Sequence, residues 1–133
     1  MDVGLGVVLG ARVLAEFGDD PDRYQTAKGR KAYAGTAPVT RSSGLRTTVV
    51  ARAACNQRLV DACYLWAFAA LTASPGVRRC YDAHRARHNG HHAALRALGN
   101  RWLEVLWHCL TNGVAYDETV HVANRNRALG RAA

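Results

Sequence analysis

QRLVDACYLWAFAALTASPG, residues Gln57 to Gly76, decides the fold class. Leu59, Cys63, Trp66, Ala67, Ala70 and Leu71 recur at intervals of three and four, which lines one side of a helix. The helical pattern starts from Ala53, alanine enrichment favours it, and Ser74-Pro75-Gly76 ends it. Downstream, Val77 to about His88 is polar on most faces and stops at Asn89-Gly90. His91 to about Leu110 then lines up Leu95, Leu98, Trp102, Leu103, Val105, Leu106 and Cys109. Upstream, Val7 to Phe17 carries Val7, Val8, Ala11, Val13, Leu14 and Phe17, and Gly18 closes it before Asp19-Asp20-Pro21. Thr26 is placed to cap a short helix reaching about Ala34, with Gly35 as its stop. These patterns predict a mostly α chain: a compact helical domain in which two long helices pack with a shorter N-terminal pair. Residues 1–116 form that domain, and residues 117–133 are expected to be a polar, flexible tail, with Asn124 to Ala133 frayed.

Between the two halves lies APVTRSSGLR, Ala37 to Arg46. Ala37–Thr40 and Arg46–Val50 read as arms of a small hairpin around Ser42-Ser43-Gly44, or the stretch is a plain loop. A serine hydroxyl is a poor nucleophile unless its surroundings activate it. Arg41 and Arg46 would supply a clamp on a phosphodiester rather than proton abstraction, and Gly44 would let the backbone come close. No G-x-S-x-G elbow is present, which argues against a hydrolase of that type. Three readings stay open here: nucleophile, backbone phosphate ligand, or polar turn.

Composition narrows the partners. The chain has 133 residues and a formal charge of +8, with 49% hydrophobic and 21% charged residues, a soluble globular balance. No run of apolar residues is long enough to span a membrane. The opening Met1-Asp2-Val3 has no basic flank or cleavage pattern, so the expected location is the cytoplasm. Cys55, Cys63, Cys80 and Cys109 have neither metal-site nor disulfide-framework spacing and read as free thiols. The charge is unevenly placed. Residues 36–60 hold Arg41, Arg46, Arg52 and Arg58 with no acid, and residues 76–101 hold Arg78, Arg79, Arg85, Arg87, Arg96 and Arg101 against Asp82 alone. Such windows predict a surface that faces a polyanion, and the planar guanidinium fork suits phosphate.

Gly4-Leu5-Gly6, just ahead of the first helix, could present amide donors to a phosphate, or make a simple turn. If it belongs to a helix-hairpin-helix module, the first helix of that module is truncated. His84, His88, His91 and His92 bunch within nine positions. They fit a polyanion-facing or plain solvated surface, and a metal less well, since no H-E-x-x-H is present. Tyr81 and Trp102 could stack on bases, or anchor the core with Trp66 and Trp107.

VGLGVVLGARVLAEFGDD, KGRKAYAGTAPVTRSSG and ALRALGNRWLEVLWHCL, in this order and spacing, resemble the C-terminal domain of the IS-one-ten family of insertion-sequence transposases. The resemblance covers about Val3 to Tyr116. It implies DNA transposition by site-specific recombination, through a covalent serine–DNA intermediate directed by an element-encoded guide RNA. By this resemblance Ser43, the serine immediately before the glycine, is the nucleophile. Gly35, Pro38 and Gly44 match the framework of its segment, and Gly4 and Gly6 match the hairpin glycines. The nucleic-acid contacts expected are Gly4, Gly6, Arg41, Gly44, Arg46, Arg78, Arg79, Arg85 and Arg87. Family members also carry an N-terminal RuvC-like domain whose four acidic residues hold magnesium. That domain has no match here, so no cofactor is expected in this chain. Enzymatic activity of the chain by itself is left open, with a fragment of little activity, a non-catalytic nucleic-acid-binding module and an inert remnant as the alternatives. Expected partners are DNA, the guide RNA and further copies of the chain, in a bacterial cytoplasm close to the nucleoid.

Overall fold

The computed structural model describes residues 5–18, 20, 22–87, 89–120 and 122–123. In chain order its elements are α1 (Val7–Phe17), α2 (Ala27–Tyr33), β1 (Val39–Ser43), β2 (Arg46–Val50), α3 (Gln57–Ala73), α4 (Pro75–Ala86) and α5 (His91–Asn112). Three helices begin on side-chain caps. Thr26 accepts from the Gly29 amide at 3.1 Å, Asn56 from Leu59 at 3.2 Å and Ser74 from Val77 at 3.2 Å. Each cap satisfies an amide that has no partner inside its helix.

Two helix boundaries differ from the sequence reading. α3 starts at Gln57 rather than near Ala53, because Asn56 takes an extended backbone to cap it. α4 starts at Pro75 rather than Val77. Ser74 donates its amide to Ala70 to close α3 and caps α4 with its side chain, so the two helices share one joint residue. Proline at the first helical position loses no hydrogen bond there.

The core is built mainly from α3 and α5. Leu59, Ala62, Cys63, Trp66, Ala67 and Ala70 meet Leu95, Leu98, Trp102, Leu103 and Leu106, with Val13 and Phe17 from α1 and Val77 from α4. The rings of Trp66 and Trp102 stack at 5.4 Å. Both are buried, so Trp102 is a core anchor and not a platform for bases. α5 packs on α2, α3 and α4, and α1 packs on α3, which is the helix-on-helix architecture expected.

The chain also returns to this body after α5. The ring edge of Tyr116 meets Trp102 at 5.3 Å, and the Glu118 carboxylate accepts from the Ser74 hydroxyl and the Gly76 amide. Asp117 accepts from the Thr119 hydroxyl and amide, and those bonds hold its carboxyl below the usual range. The segment Asn124 to Ala133, expected to fray, lies outside the described residues.

β1 and β2 form a two-stranded antiparallel hairpin. Its Cα partners are Val39 with Val50, Thr40 with Val49, Arg41 with Thr48, Ser42 with Thr47 and Ser43 with Arg46. The sequence reading placed both serines in the loop. In the structure they lie on β1, and the turn is Gly44-Leu45 alone. Gly44 has φ of 58°, a value open to glycine, and positive φ at this turn position matches the twist of the paired strands. Residues 40–49 are exposed on both faces, and the hairpin packs chiefly on itself.

Candidate nucleic-acid interface

The hairpin projects from an anchored base. At its N-terminal side Thr36 is buried, and its hydroxyl lies 3.2 Å from Asn100 Oδ1 and 3.4 Å from the Lys31 carbonyl. At its C-terminal side Asn56 donates its amide to the Tyr33 carbonyl at 3.0 Å. The Asn56 side chain donates to Glu16 at 2.8 Å and to the Tyr33 hydroxyl at 3.1 Å while capping α3. One asparagine thus ties α1, α2 and α3 together where the hairpin leaves the body.

Alternation along a strand and the pairing across it assign the faces. Ser43 stands directly opposite Arg46, and Arg41 lies two residues before Ser43 on the same strand. All three therefore share one face, with the half-buried Val39 and Val50 at its base. Thr40, Ser42, Thr47 and Val49 occupy the other face, where the Ser42 and Thr47 hydroxyls are hydrogen-bonded at 3.1 Å. Among the described residues no hydrogen bond or ion pair engages the side chains of Ser43, Arg41 or Arg46. The other two arginines of this window lie outside the hairpin. Arg58 lies 3.9 Å from Glu16, and Arg52 is half-buried.

The second basic window is less free than its composition suggests. On α4, Arg78 pairs with Asp82 at 3.2 Å, and Arg85 donates to the Asn89 carbonyl at 3.0 Å. Arg79 and Arg87 are exposed. Of the bunched histidines, His91 Nδ1 meets the Tyr81 hydroxyl at 2.7 Å and His92 stacks on Tyr64 at 5.7 Å. These contacts join α5 to α4 and α3. His84 Nδ1 lies 3.4 Å from the Asn89 side chain, and His88 falls outside the described residues. Gly4 also lies outside them, while Gly6 precedes α1 with φ of −64°, an ordinary value for any residue.

Among the described residues no cluster of three or more His, Cys, Asp or Glu could hold a metal. Glu104 is paired with Lys31 at 3.0 Å, Asp117 is bonded to Thr119 and Glu118 to Ser74, so these acids do not form a magnesium quartet. All four cysteines are free thiols, and burial pushes the Cys63 thiol up to about 12.

Sequence reasoning missed a cluster beside the hairpin base. The Arg30 guanidinium is buried 5.0 Å from the Phe17 ring and 5.1 Å from the Tyr24 ring, and Arg23 lies over Tyr24 and Tyr33. Burial lowers the Arg30 pKa, opposed by Tyr24, and its Nε and Nη1 have no hydrogen-bond partner. Only the spacing K-G-R-K-A-Y hinted at it, and that spacing reads equally as a solvated helix.

Comparison with known proteins fixes the family. The model of the transposase IS116/IS110/IS902 family matches residues 3–82, more than half of the chain. The chain belongs to this family. It is 51% identical over 115 residues to the mini-circle putative transposase for IS117 of Streptomyces coelicolor, covering 86% of this chain and 28% of that protein. It is 38% identical over 121 residues to an uncharacterized 42 kDa protein of insertion element IS900 from Mycobacterium paratuberculosis, covering 90% of this chain and 30% of that one. The IS110 protein of Streptomyces coelicolor, of 43.6 kDa, is 38% identical over 117 residues. The chain therefore spans under a third of the length of these relatives. The matched region includes α1, α2, the whole hairpin, α3 and the start of α4.

Proposed function

We propose that the chain is the serine-bearing, nucleic-acid-binding part of an insertion-sequence transposase, acting in DNA transposition by site-specific recombination. The observation that carries this reading is the exposed hairpin face on which an unbonded Ser43 stands with Arg41 and Arg46. Ser43 Oγ attacks the phosphorus of a phosphodiester. An Oγ–P bond forms, one P–O bond to a sugar breaks, and the departing sugar oxygen keeps the electron pair and takes a proton from water. The two guanidinium groups, on the same face, would stabilise the charge that the phosphoryl oxygens gain, which is the kind of stabilisation that lowers such a barrier.

The hydroxyl proton has no local acceptor, because residues 36–60 contain no Asp, Glu or His. It passes to water or to a base outside this segment, and the chain by itself has little activity. The same absence favours a second reading, in which the chain grips a nucleic-acid backbone without covalent chemistry. In both readings Gly44 lets the backbone approach, Arg78, Arg79 and Arg85 on α4 and Arg87 just after it add phosphate contacts, and Gly4 with Gly6 adds amide donors. DNA is the principal partner, with an element-encoded guide RNA and further copies of the chain completing the assembly, in the bacterial cytoplasm near the nucleoid. No helix among the described residues is long and apolar enough to cross a membrane.

Covalent capture on nicked or branched DNA separates the readings. The enzyme reading expects a DNA-linked band under denaturing conditions that is absent for Ser43→Ala and present for Ser42→Ala. No band with any variant, together with salt-dependent binding, selects the binder. Binding is expected to fall with salt at a slope near −0.9 per duplex phosphate contacted, and Arg41→Ala and Arg46→Ala each reduce that slope by about one. No detectable binding at ~50 mM salt would overturn both and leave an inert remnant.

A further inference from the structure

Ser42 and Ser43 are adjacent, chemically identical and equally exposed, so the fold must choose which of them meets the arginines. That choice is one of strand register. A one-residue slip in one direction pairs Ser42 with Arg46 and moves Ser43 into a three-residue loop. A slip in the other direction pairs Ser43 with Thr47 and moves Arg46 into the loop. Gly44 lies in the loop in all three arrangements, so it does not discriminate among them.

Register is normally set by burying one face of the ribbon, and it is weakly specified where both faces are wet. Here the half-buried Val39 and Val50 fix the base, four pairs away from the Ser43–Arg46 pair. Near the tip the side-chain hydrogen bond between the strands is Ser42 Oγ to Thr47 Oγ1, at 3.1 Å. Ser42 and Thr47 face each other only when Ser43 faces Arg46.

We infer that Ser42 and Thr47 are a positioning pair, a hydroxyl lock that holds the hairpin in the register placing Ser43 between Arg41 and Arg46. The two serines thus divide the work. Ser43 meets the phosphate, and Ser42 on the opposite face keeps it there. The lock rests on the reading of Ser43 given above for its purpose, while its existence is a property of the hairpin alone.

The test therefore uses two readouts on the full chain. Cross-strand nuclear Overhauser contacts report register without any nucleic acid. Wild type is expected to show the five pairs from Val39–Val50 to Ser43–Arg46. Ser42→Ala and Thr47→Val raise the slipped or open population at the tip about two- to fivefold, the range for a cross-strand hydroxyl pair, and Ser42→Thr restores the wild-type pattern. In the DNA assays Ser42→Ala retains covalent capture at a yield lowered in proportion to the fraction of chains that leaves the register, or, if the chain only binds, shows a smaller salt slope. Ser42→Thr recovers either one. Full retention of the Ser42–Thr47 and Ser43–Arg46 contacts in both Ser42→Ala and Thr47→Val overturns the lock. An intact wild-type register combined with DNA binding indifferent to Ser43, Arg41 and Arg46 overturns the nucleic-acid reading instead and leaves the lock standing.

Discussion

Replacing Gly35 by alanine separates two physical effects at the point where α2 hands the chain to the hairpin. Gly35 has φ of 70°, and a Cβ built on it would lie 2.6 Å from Cys55 Sγ, 2.8 Å from Val60 Cγ2 and 2.9 Å from Cys55 Cβ. The left-handed backbone costs an L-residue about 1–2 kcal/mol. Forcing a methyl group into contacts this short costs a further ~1–3 kcal/mol, because the neighbours must leave their rotamers or the backbone must shift. Gly35→Ala is therefore expected to lose about 2–5 kcal/mol in urea titration followed by circular dichroism, a large part of a typical domain's stability. Gly44→Ala is the control. It shares the left-handed conformation, at φ of 58°, but has nothing within 4 Å, and it sits in an exposed turn outside the core. The transition of that variant should move by no more than the backbone cost, about 1–2 kcal/mol. Adding Cys55→Ala to Gly35→Ala removes the contact with Sγ and should recover about 1 kcal/mol, leaving the backbone cost and the contacts with Val60 and the Cβ of residue 55 in place. A Gly35→Ala variant as stable as Gly44→Ala would refute this account of the joint.

Other outcomes follow from single sites. Arg30→Met is expected to stay within ~1 kcal/mol of wild type, because losing the ring contacts is offset by removing a buried cation with two unpartnered nitrogens, whereas Arg30→Ala should cost about 2–3 kcal/mol through the cavity it opens. Equal losses in the two variants would show that the charge itself matters. Cys63 should resist a thiol-specific disulfide reagent at pH 8 while Cys55 and Cys80, both half-buried, react; mass mapping of the labelled peptides decides it. Because the folded thiol titrates near 12 and its ordinary value is 9.0, the unfolded chain loses this proton first. Its contribution to stability is then complete below pH 9 and declines between pH 9 and 12, measurable as a falling urea midpoint. Glu118→Ala should cost about 1 kcal/mol and expose the α4 N-terminus to faster amide exchange at Gly76, since a carboxylate there bonds a free amide and complements the helix dipole.

How far the sequence could be read depended on whether the deciding contacts were local. The helices announced themselves because apolar spacing and capping residues act within four positions, as at Thr26, although the cap at Asn56 went unread and α3 was started near Ala53. The hairpin arms were legible from β-branched residues, but the first arm was ended at Thr40, three residues short of Ser43, which left both serines in the loop. Val39 to Ser43 has no apolar alternation, and nothing in it says which side of a strand each residue takes. Face assignment needed the register, and only then did Arg41, Ser43 and Arg46 come together. The basic windows were read by composition, which is blind to pairings such as Arg58 with Glu16, forty-two positions away, or Lys31 with Glu104. The histidine cluster is a similar case. Its crowding in sequence reflects the α4–α5 joint, where His91 and His92 engage Tyr81 and Tyr64.

The position of the hairpin also bears on what a phosphate must supply. A two-stranded ribbon with both faces in water is marginal on its own, and ordering each residue costs about 1–2 kcal/mol. Here that cost is met in two stages. The base is ordered in the absence of ligand by the Asn56 bonds to α1 and α2 and by the buried Thr36, so folding of the helical body supplies it. The tip, from Ser42 to Thr47, is held by one hydroxyl pair and a two-residue turn, with Arg46 in it and Arg41 just before it on the same face. Like charge on one face opposes close approach of the guanidinium groups, and in the proposed reading a bound phosphate removes that repulsion on strands already paired. In the proposed reading, binding energy then goes to Arg41, Ser43 and Arg46, while the attitude of the ribbon is fixed in advance by the helices beneath it.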